Sequence, residues 1–311
     1  MRNNSTFDRS GAGVKKVVLL GAPVAHSFSP TIQNAAFKEA DLDWRYQALE
    51  IAPGNLGATL ARMREEGWPG ANVTIPFKEA VSPLLDEIDP SADQTSAVNT
   101  IVNNNGHLVG HNTDLRGFMT DLKAHWQVPS AGPSLILGAG GAARAVAFGL
   151  AGEGLDLTFI ARSRGRAERL AEDVRRGGAA DVATRPWARE SFVNSSSQCI
   201  LVVNATPLGM MPNIRKSPWP DDLPLPPDAF VYDLVYSPPE TRLVQQAQQS
   251  GIEAVSGAGM LLEQAALSFE LWTGQTAPRE RMRAALGKAL GRSSAWGKLA
   301  GQPNRREVLD A

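Results

Sequence analysis

The stretch Leu135-Ile-Leu-Gly138-Ala-Gly140-Gly141-Ala-Ala143-Arg144 decides the fold. An apolar run ends in G-x-G-x-x-A, and a helical pattern follows from Ala142 to Ala151. Strand, glycine turn and helix in that order form the phosphate-binding start of a βαβ unit. Gly138 permits the tight turn, Gly140 lets the backbone approach a pyrophosphate, and Ala143 lets the helix lie close to the sheet. The pyrophosphate then meets free N–H groups at the positive end of the helix. A plain glycine turn without a ligand is the alternative, and the flanking strand and helix weigh against it. Gly11-Ala-Gly13 precedes a strand instead of following one and is set aside.

The next strand, Asp156 to Ile160, selects the cofactor. A chain that binds NAD places Asp or Glu near the end of this strand for the ribose 2′-hydroxyl. Here the strand runs into Ala161-Arg162-Ser163-Arg164-Gly165-Arg166, and Asp156 stands at its beginning. Three arginines and a serine suit a 2′-phosphate. A merely solvated basic helix start is disfavoured by the helix dipole. NADP is therefore favoured over NAD.

Outward from this unit, strands and helices alternate in both directions. Downstream, a charged helix runs to about Arg176, and Cys199–Asn204, Val231–Leu234 and Glu253–Val255 read as strands. Ser237-Pro-Pro-Glu240 is a capping-box pattern before a helix carrying Leu243, Val244 and Ala247. Met260–Trp272 and Arg279–Leu290 are two long helices that close the body. Upstream, Pro, Ser and Gly cluster at Val128 to Pro133 and mark a boundary. Before it, Lys16–Gly21, Arg45–Glu50 and Ala71–Ile75 read as strands, and Leu56–Glu66 as a helix. Ser29-Pro30 is an N-cap followed by proline at the first helical position, and Pro76 is placed to open another helix. Val98–Val102 and Leu108–Gly110 flank Asn103-Asn104-Asn105-Gly106, a hairpin turn.

Composition sets the limits. A chain of 311 residues has room for about two domains. Hydrophobic residues at 43% and charged residues at 20% exclude wholesale disorder. Lys plus Arg is 31 and Asp plus Glu is 32, so the net charge of −1 argues against a nucleic-acid or acidic-membrane binder. The single Cys199 excludes an intrachain disulfide and a multi-cysteine zinc site, and fits a reducing cytoplasm. No apolar run reaches the ~20 residues that span a bilayer. Met1 to Gly13 has no secretory h-region and reads as a disordered arm. Ser293 to Ala311 reads as a loose tail, with Trp296 docking on the body.

Five clusters carry polar groups in apolar settings: His26 to Pro30, Asn72 to Lys78, Ala97 to Thr100, Asn112 to Asp114, and Gly257 to Gln264. Singly, each has a plain reading. Ser29 caps a helix, Lys78 is a solvated first-turn lysine, Asn99 closes a strand, Asp114 caps a helix and Gln264 bonds backbone.

In order and spacing, the set resembles the shikimate dehydrogenase family from about Val17 to Leu290. The matching pieces are G-x-P-V-x-H-S-x-S-P, N-V-T-I-P-F-K, A-V-N-T, N-T-D, G-A-G-G-A-A-R, N-A-T-P-L-G-M and G-M-L-L-x-Q-A. The resemblance implies an α/β protein of two domains: a discontinuous substrate-binding domain (16–118 and 259–291) and a Rossmann-like NADP-binding domain (119–258) inserted in it. An N-terminal arm (1–15) and a C-terminal tail (292–311) lie outside. It implies reversible reduction of 3-dehydroshikimate to shikimate by NADPH, in the cytoplasmic pathway to chorismate and the aromatic amino acids.

By position, the resemblance makes Lys78 and Asp114 the catalytic pair. It assigns Ser27, Ser29, Thr74, Asn99, Tyr236 and Gln264 to the substrate. Gly138, Ala139, Gly140, Gly141, Ala142, Arg162, Ser163, Arg166, Thr206, Leu234 and Gly257 fall to the cofactor. The partner implied is a small molecule, with no nucleic acid or membrane, on a monomer or homodimer. The residue types suit the chemistry. Oxidising a secondary alcohol removes a hydride and a proton, and a lysine in a dry cleft can carry the proton. No metal is called for: His107 and His111 flank a strand, and no H-x-x-x-H helix exists.

Two positions depart from the pattern. Gln33 stands where the family usually has His, which predicts a changed helix contact. Ala161 replaces a common Asn beside the arginine. Three alternatives stay open: a quinate/shikimate dehydrogenase using NAD or NADP, a non-catalytic ligand sensor on the same fold, and a folate-linked dehydrogenase.

Overall fold

The computed structural model describes residues 13–178 and 181–291. Residues 1–12 of the arm and the whole tail, Trp296 included, lie outside the described residues, while Lys15, the last residue given to the arm, already belongs to β1. The elements run β1 (Lys15–Gly21), α1 (Ser29–Glu39), β2 (Trp44–Glu50), α2 (Leu56–Glu65), β3 (Gly70–Val73), β4 (Glu87–Ile88), α3 (Pro90–Thr95), β5 (Thr100–Asn104) and β6 (His107–His111). They continue with α4 (Asp114–His125), β7 (Pro133–Leu137), α5 (Gly141–Gly152), β8 (Asp156–Ala161), α6 (Arg164–Arg176), β9 (Val182–Pro186) and α7 (Arg189–Ser196). The last are β10 (Leu201–Asn204), β11 (Phe230–Asp233), α8 (Arg242–Gln249), β12 (Ala254–Ser256), α9 (Ala258–Thr273) and α10 (Arg279–Ala289).

Two six-stranded sheets result. The first has the order β2-β1-β3-β5-β6-β4. β1 pairs parallel with β2 and β3, while β5 runs antiparallel to both β3 and β6. Asn105 (φ 53°) and Gly106 (φ 95°) make the β5–β6 turn, as the left-handed demands of a two-residue hairpin require. The second sheet, β12-β11-β10-β7-β8-β9, is parallel throughout. Its order reverses between β7 and β10, and such a switch point opens a ligand crevice at the carboxyl ends of the strands.

Both faces of each sheet are covered, which is why their central strands read as unbroken apolar runs. Val17 and Leu19 of β1 pack toward α1, α9 and α10; Val18 and Leu20 pack toward α2. In the second sheet, Ile136 faces α4, α5 and α6, and Leu135 and Leu137 face α7 and α8. Phe118, Met119 and Leu122 of α4 join the second sheet's core, as does Met260 of α9. Ala258 and Leu262 of α9 join the first. The expected cut at 118/119 thus runs through α4, and that at 258/259 falls inside α9.

Three local expectations change. Pro76 opens no helix. The Lys78 carbonyl accepts the Val98 N–H at 2.8 Å, so it is spent on a distant strand and not on an i+4 amide. Ser29 is the first residue of α1 and makes no cap. Its N–H donates to Ser27 Oγ at 3.2 Å. The cap of α8 is Thr241, whose Oγ1 accepts the Val244 N–H at 3.2 Å, and Ser237–Glu240 form bends before it.

Candidate active site

A cavity of about 1070 Å³ lies between the carboxyl edge of the second sheet and the loops of the first. Every residue assigned above to the catalytic pair, the substrate or the cofactor lines it. Ser27, Ser29, Thr74, Lys78, Asn99 and Asp114 come from the first half, and Gln264 from α9. Gly138 to Ala142, Arg162, Ser163, Arg166, Thr206, Leu234, Tyr236 and Gly257 come from strand ends of the second sheet.

At its floor, Lys78 Nζ donates to Asp114 Oδ2, with side chains only 14% and 7% exposed. Asp114 is held in turn. Asn99 Nδ2 donates to its Oδ1 at 2.8 Å, and the Thr113 N–H donates to Asn99 Oδ1 at 2.8 Å. Position one of α4 thereby aims the carboxylate at the lysine. The lysine stem also meets the glycine turn: a methyl group at Gly141 would stand 3.3 Å from Lys78 Cδ. The Lys78–Asp114 pair therefore lies close against the start of α5.

Beneath the pair lies a buried polar network. Tyr46 Oη donates to Asn72 Oδ1 at 2.7 Å. Asn72 Nδ2 lies 3.0 Å from the Asn99 carbonyl, Thr100 Oγ1 and Ser268 Oγ. Sequence reading missed Tyr46, Thr100, Thr113 and Ser268 as site residues. Asn72, Thr100 and Thr113 stood inside quoted motifs without a role assigned to them, whereas Tyr46 and Ser268 stood in none and meet Asn72 across 26 and 196 positions, where local spacing carries no signal.

On the opposite wall, Ser27 and Ser29 hydroxyls lie 3.1 Å apart. Tyr236 packs on Phe28 at 5.8 Å between centroids. Burial pushes the Tyr236 phenol up, opposed by the Ser27 hydroxyl. Gln264 Nε2 donates to the Leu261 carbonyl at 2.8 Å. Gln33 is fully buried and donates to the Ala265 carbonyl of α9 at 2.8 Å, while its Oε1 has no partner.

The second-sheet side fits a 2′-phosphorylated dinucleotide. The N-terminus of α5 has no side-chain cap, and a methyl at Gly140 would project into open space. Such a helix start leaves N–H groups for an anion. Gly138 (φ +113°) makes the turn, and a side chain there would press on the Ala205 carbonyl. Ser163 precedes α6 without capping it, so its hydroxyl is not spent there. Arg162, just ahead of α6, and Arg166, in its first turn, line the cavity with it. Arg164 does not: it is turned outward and bonds Glu168 Oε1 at 2.6 Å, so the basic cluster is two arginines and not three.

Two loops at this wall share one buried hub. Asp233 Oδ1 accepts from Asn204 Nδ2 at 2.7 Å and from the Val235 N–H at 3.0 Å. Its Oδ2 accepts from Thr241 Oγ1 at 2.5 Å. Asn204 Oδ1 accepts the N–H and hydroxyl of Thr206. Burial pushes the Asp233 carboxyl up to about 6, against these hydrogen bonds.

Comparison with known proteins agrees with this geometry. The family model for the shikimate dehydrogenase substrate binding domain matches residues 19–101. That for the shikimate 5′-dehydrogenase C-terminal domain matches 257–286. The chain is 43% identical to a shikimate dehydrogenase (NADP(+)) of Desulforamulus reducens, over 88% of this chain and 94% of that one. A shikimate 5-dehydrogenase of Thermus thermophilus, solved with NADP(H) and shikimate, superposes with a TM-score of 0.78 at 37% identity, covering 89% of this chain and all of that one (100%). A quinate dehydrogenase of Corynebacterium glutamicum, solved with NAD, gives 0.79 at 30% identity, covering 89% and 100%. On these likenesses, which cover 88–89% of the chain, it belongs to the shikimate dehydrogenase family.

Proposed function

We propose that this chain is an NADP-dependent shikimate dehydrogenase that reduces 3-dehydroshikimate to shikimate reversibly, with Lys78 and Asp114 as its acid–base pair. One observation carries the reading: a nearly buried Lys–Asp pair abuts the glycine turn that would hold a dinucleotide. Bound NADP would supply the hydride acceptor for oxidation of the alcohol carbon, and its reduced form the hydride donor for the reverse.

The chain's own residues do the rest. Lys78 Nζ takes the hydroxyl proton during oxidation and gives it to the carbonyl oxygen during reduction. Asp114, fixed by Asn99, keeps the ammonium in place and orients the reacting hydroxyl. Ser27, Ser29 and Tyr236 hold the substrate carboxylate at the far end. Thr74, Asn99 and Gln264 bond its other oxygens. The α5 start holds the pyrophosphate, while Arg162, Ser163 and Arg166 hold the 2′-phosphate. Thr206, Leu234 and Gly257 line the remaining wall. The substrate half is built on the first sheet with α9 and α10, and the cofactor half on the second sheet. Burial pushes the Cys199 thiol up to about 11, which keeps it protonated and gives it no part in the chemistry; the reading places the enzyme in the cytoplasm.

The test is a four-way initial-rate assay of shikimate and quinate, each with NADP⁺ and NAD⁺. Shikimate with NADP⁺ should dominate. Equal rates with quinate or NAD⁺ would replace the reading with a broader dehydrogenase, and no turnover would leave a ligand sensor.

A further inference from the structure

Trp187 belongs to no motif, yet it lines the cavity beside Ala161, Arg162, Ser163 and Arg166. Strand register explains how. Ala161 pairs with Pro186 across β8 and β9, so Arg162 and Trp187 leave their strands side by side. The indole is half-buried. Its back is fixed by an edge-to-face contact with Phe192 (5.5 Å, 82°), and Phe192 is fixed in the same way by the buried Trp219 (5.3 Å, 85°). Trp68, Trp219 and Trp272 donate their indole N–H groups to protein acceptors. Trp187 has no such acceptor among the described residues. A rigidly backed, partly open aromatic ring next to two guanidinium groups has the chemistry of a purine wall: a π surface for the base, with cations for the phosphate.

We propose that the Trp187 indole is the surface against which the adenine base of the cofactor rests. Arg162 and Arg166 then hold the 2′-phosphate at its edge. The inference rests on the NADP reading above and extends it to a residue outside the glycine fingerprint. It predicts that the adenosine end of the dinucleotide binds on its own and contributes much of the affinity.

The experiment is calorimetric titration of wild type, Trp187→Phe and Trp187→Leu with adenosine 2′,5′-bisphosphate, NADP⁺ and nicotinamide mononucleotide. Shikimate binding serves as the folding control. Trp187→Leu should raise the dissociation constant of both adenine ligands by roughly 5- to 100-fold and leave the mononucleotide unmoved. Trp187→Phe should retain most of the affinity. Should the leucine variant not fold, tryptophan emission decides the matter. The bisphosphate should change the emission of wild type, and Trp187→Phe should lose most of that change. Wild type binding both adenine ligands while Trp187→Leu binds them equally well overturns this inference alone, as does an emission change that survives in Trp187→Phe. Wild type binding neither overturns the proposed function and this inference with it.

Discussion

Lys78 has two neighbours that separate its chemistry from its packing: its ammonium pairs with Asp114, and its methylenes lie where a side chain at Gly141 would press on them. Lys78→Ala removes the proton carrier and leaves the serine, threonine and tyrosine contacts in place. Turnover should fall by roughly 10²- to 10⁴-fold, with the shikimate dissociation constant within a few-fold, as measured by steady-state kinetics and direct binding. Asp233 is the other informative residue, because burial raises its pKa to about 6 in the folded state. The unfolded chain ionises it near ~3.9, so between these values the folded state binds more protons. Its contribution to stability is therefore present below about pH 4 and lost as pH rises through 6. Asn mimics the protonated acid. The stability of wild type relative to Asp233→Asn should accordingly decline between about pH 4 and pH 6.5 and level off above it in urea titrations. A difference that grows with pH would contradict the assigned direction.

Among the elements, α4 and α9 matter most, because each serves both sheets. They approach closely through two glycines. A methyl at Gly117 would stand 2.8 Å from the Gln264 amide nitrogen, and one at Gly259 would collide with the Asp121 carboxylate. Asp121 Oδ2 is already engaged by Tyr232 Oη at 2.5 Å. Gly117→Ala should therefore push α9 outward, cost about 1–3 kcal/mol of stability and raise the shikimate KM more than the NADP KM. Equal changes in both KM values would show that Gln264 is not the affected group. Sequence reading was strongest for elements with one dominant local cause. β7, β8 and α5 were legible because apolar runs meet glycine at a turn. β9 and α7 went unassigned because Val182-Ala-Thr-Arg-Pro186 is a short, half-polar edge strand with no apolar stretch to announce it. The helix expected at Pro76 failed for a non-local reason, the tie from Lys78 to Val98. The site followed the same rule. Motif residues were found, whereas Ser268, bonded to Asn72 across 196 positions, and Trp187, placed by strand register, were not.

For the whole molecule, the question is what couples the two halves. Arg144, in the glycine fingerprint, supplies one link. Its side chain is 8% exposed, its Nε donates to the Thr95 carbonyl at the end of α3, and its Nη2 pairs with Asp173 of α6 at 2.6 Å. Thr95 leads within a few residues to Asn99, so α5 is tied to the segment that carries the Asn99 partner of Asp114. Arg144→Met leaves a buried carbonyl and a carboxylate without this donor. It should lower stability by about 1–3 kcal/mol and raise the KM of both substrates, with Arg144→Lys in between. Unchanged KM values with lost stability would make the link a matter of folding only.

The second sheet is built from one continuous stretch, 133–256, whereas β1 and α10, at the two ends of the described chain, both belong to the first half. This has a mechanical consequence. Tension applied between the two ends is borne first by the half that holds the Lys78–Asp114 pair, and it reaches the half built on the second sheet only after that half has opened. Under load, the cofactor cradle should be the last part of the molecule to let go.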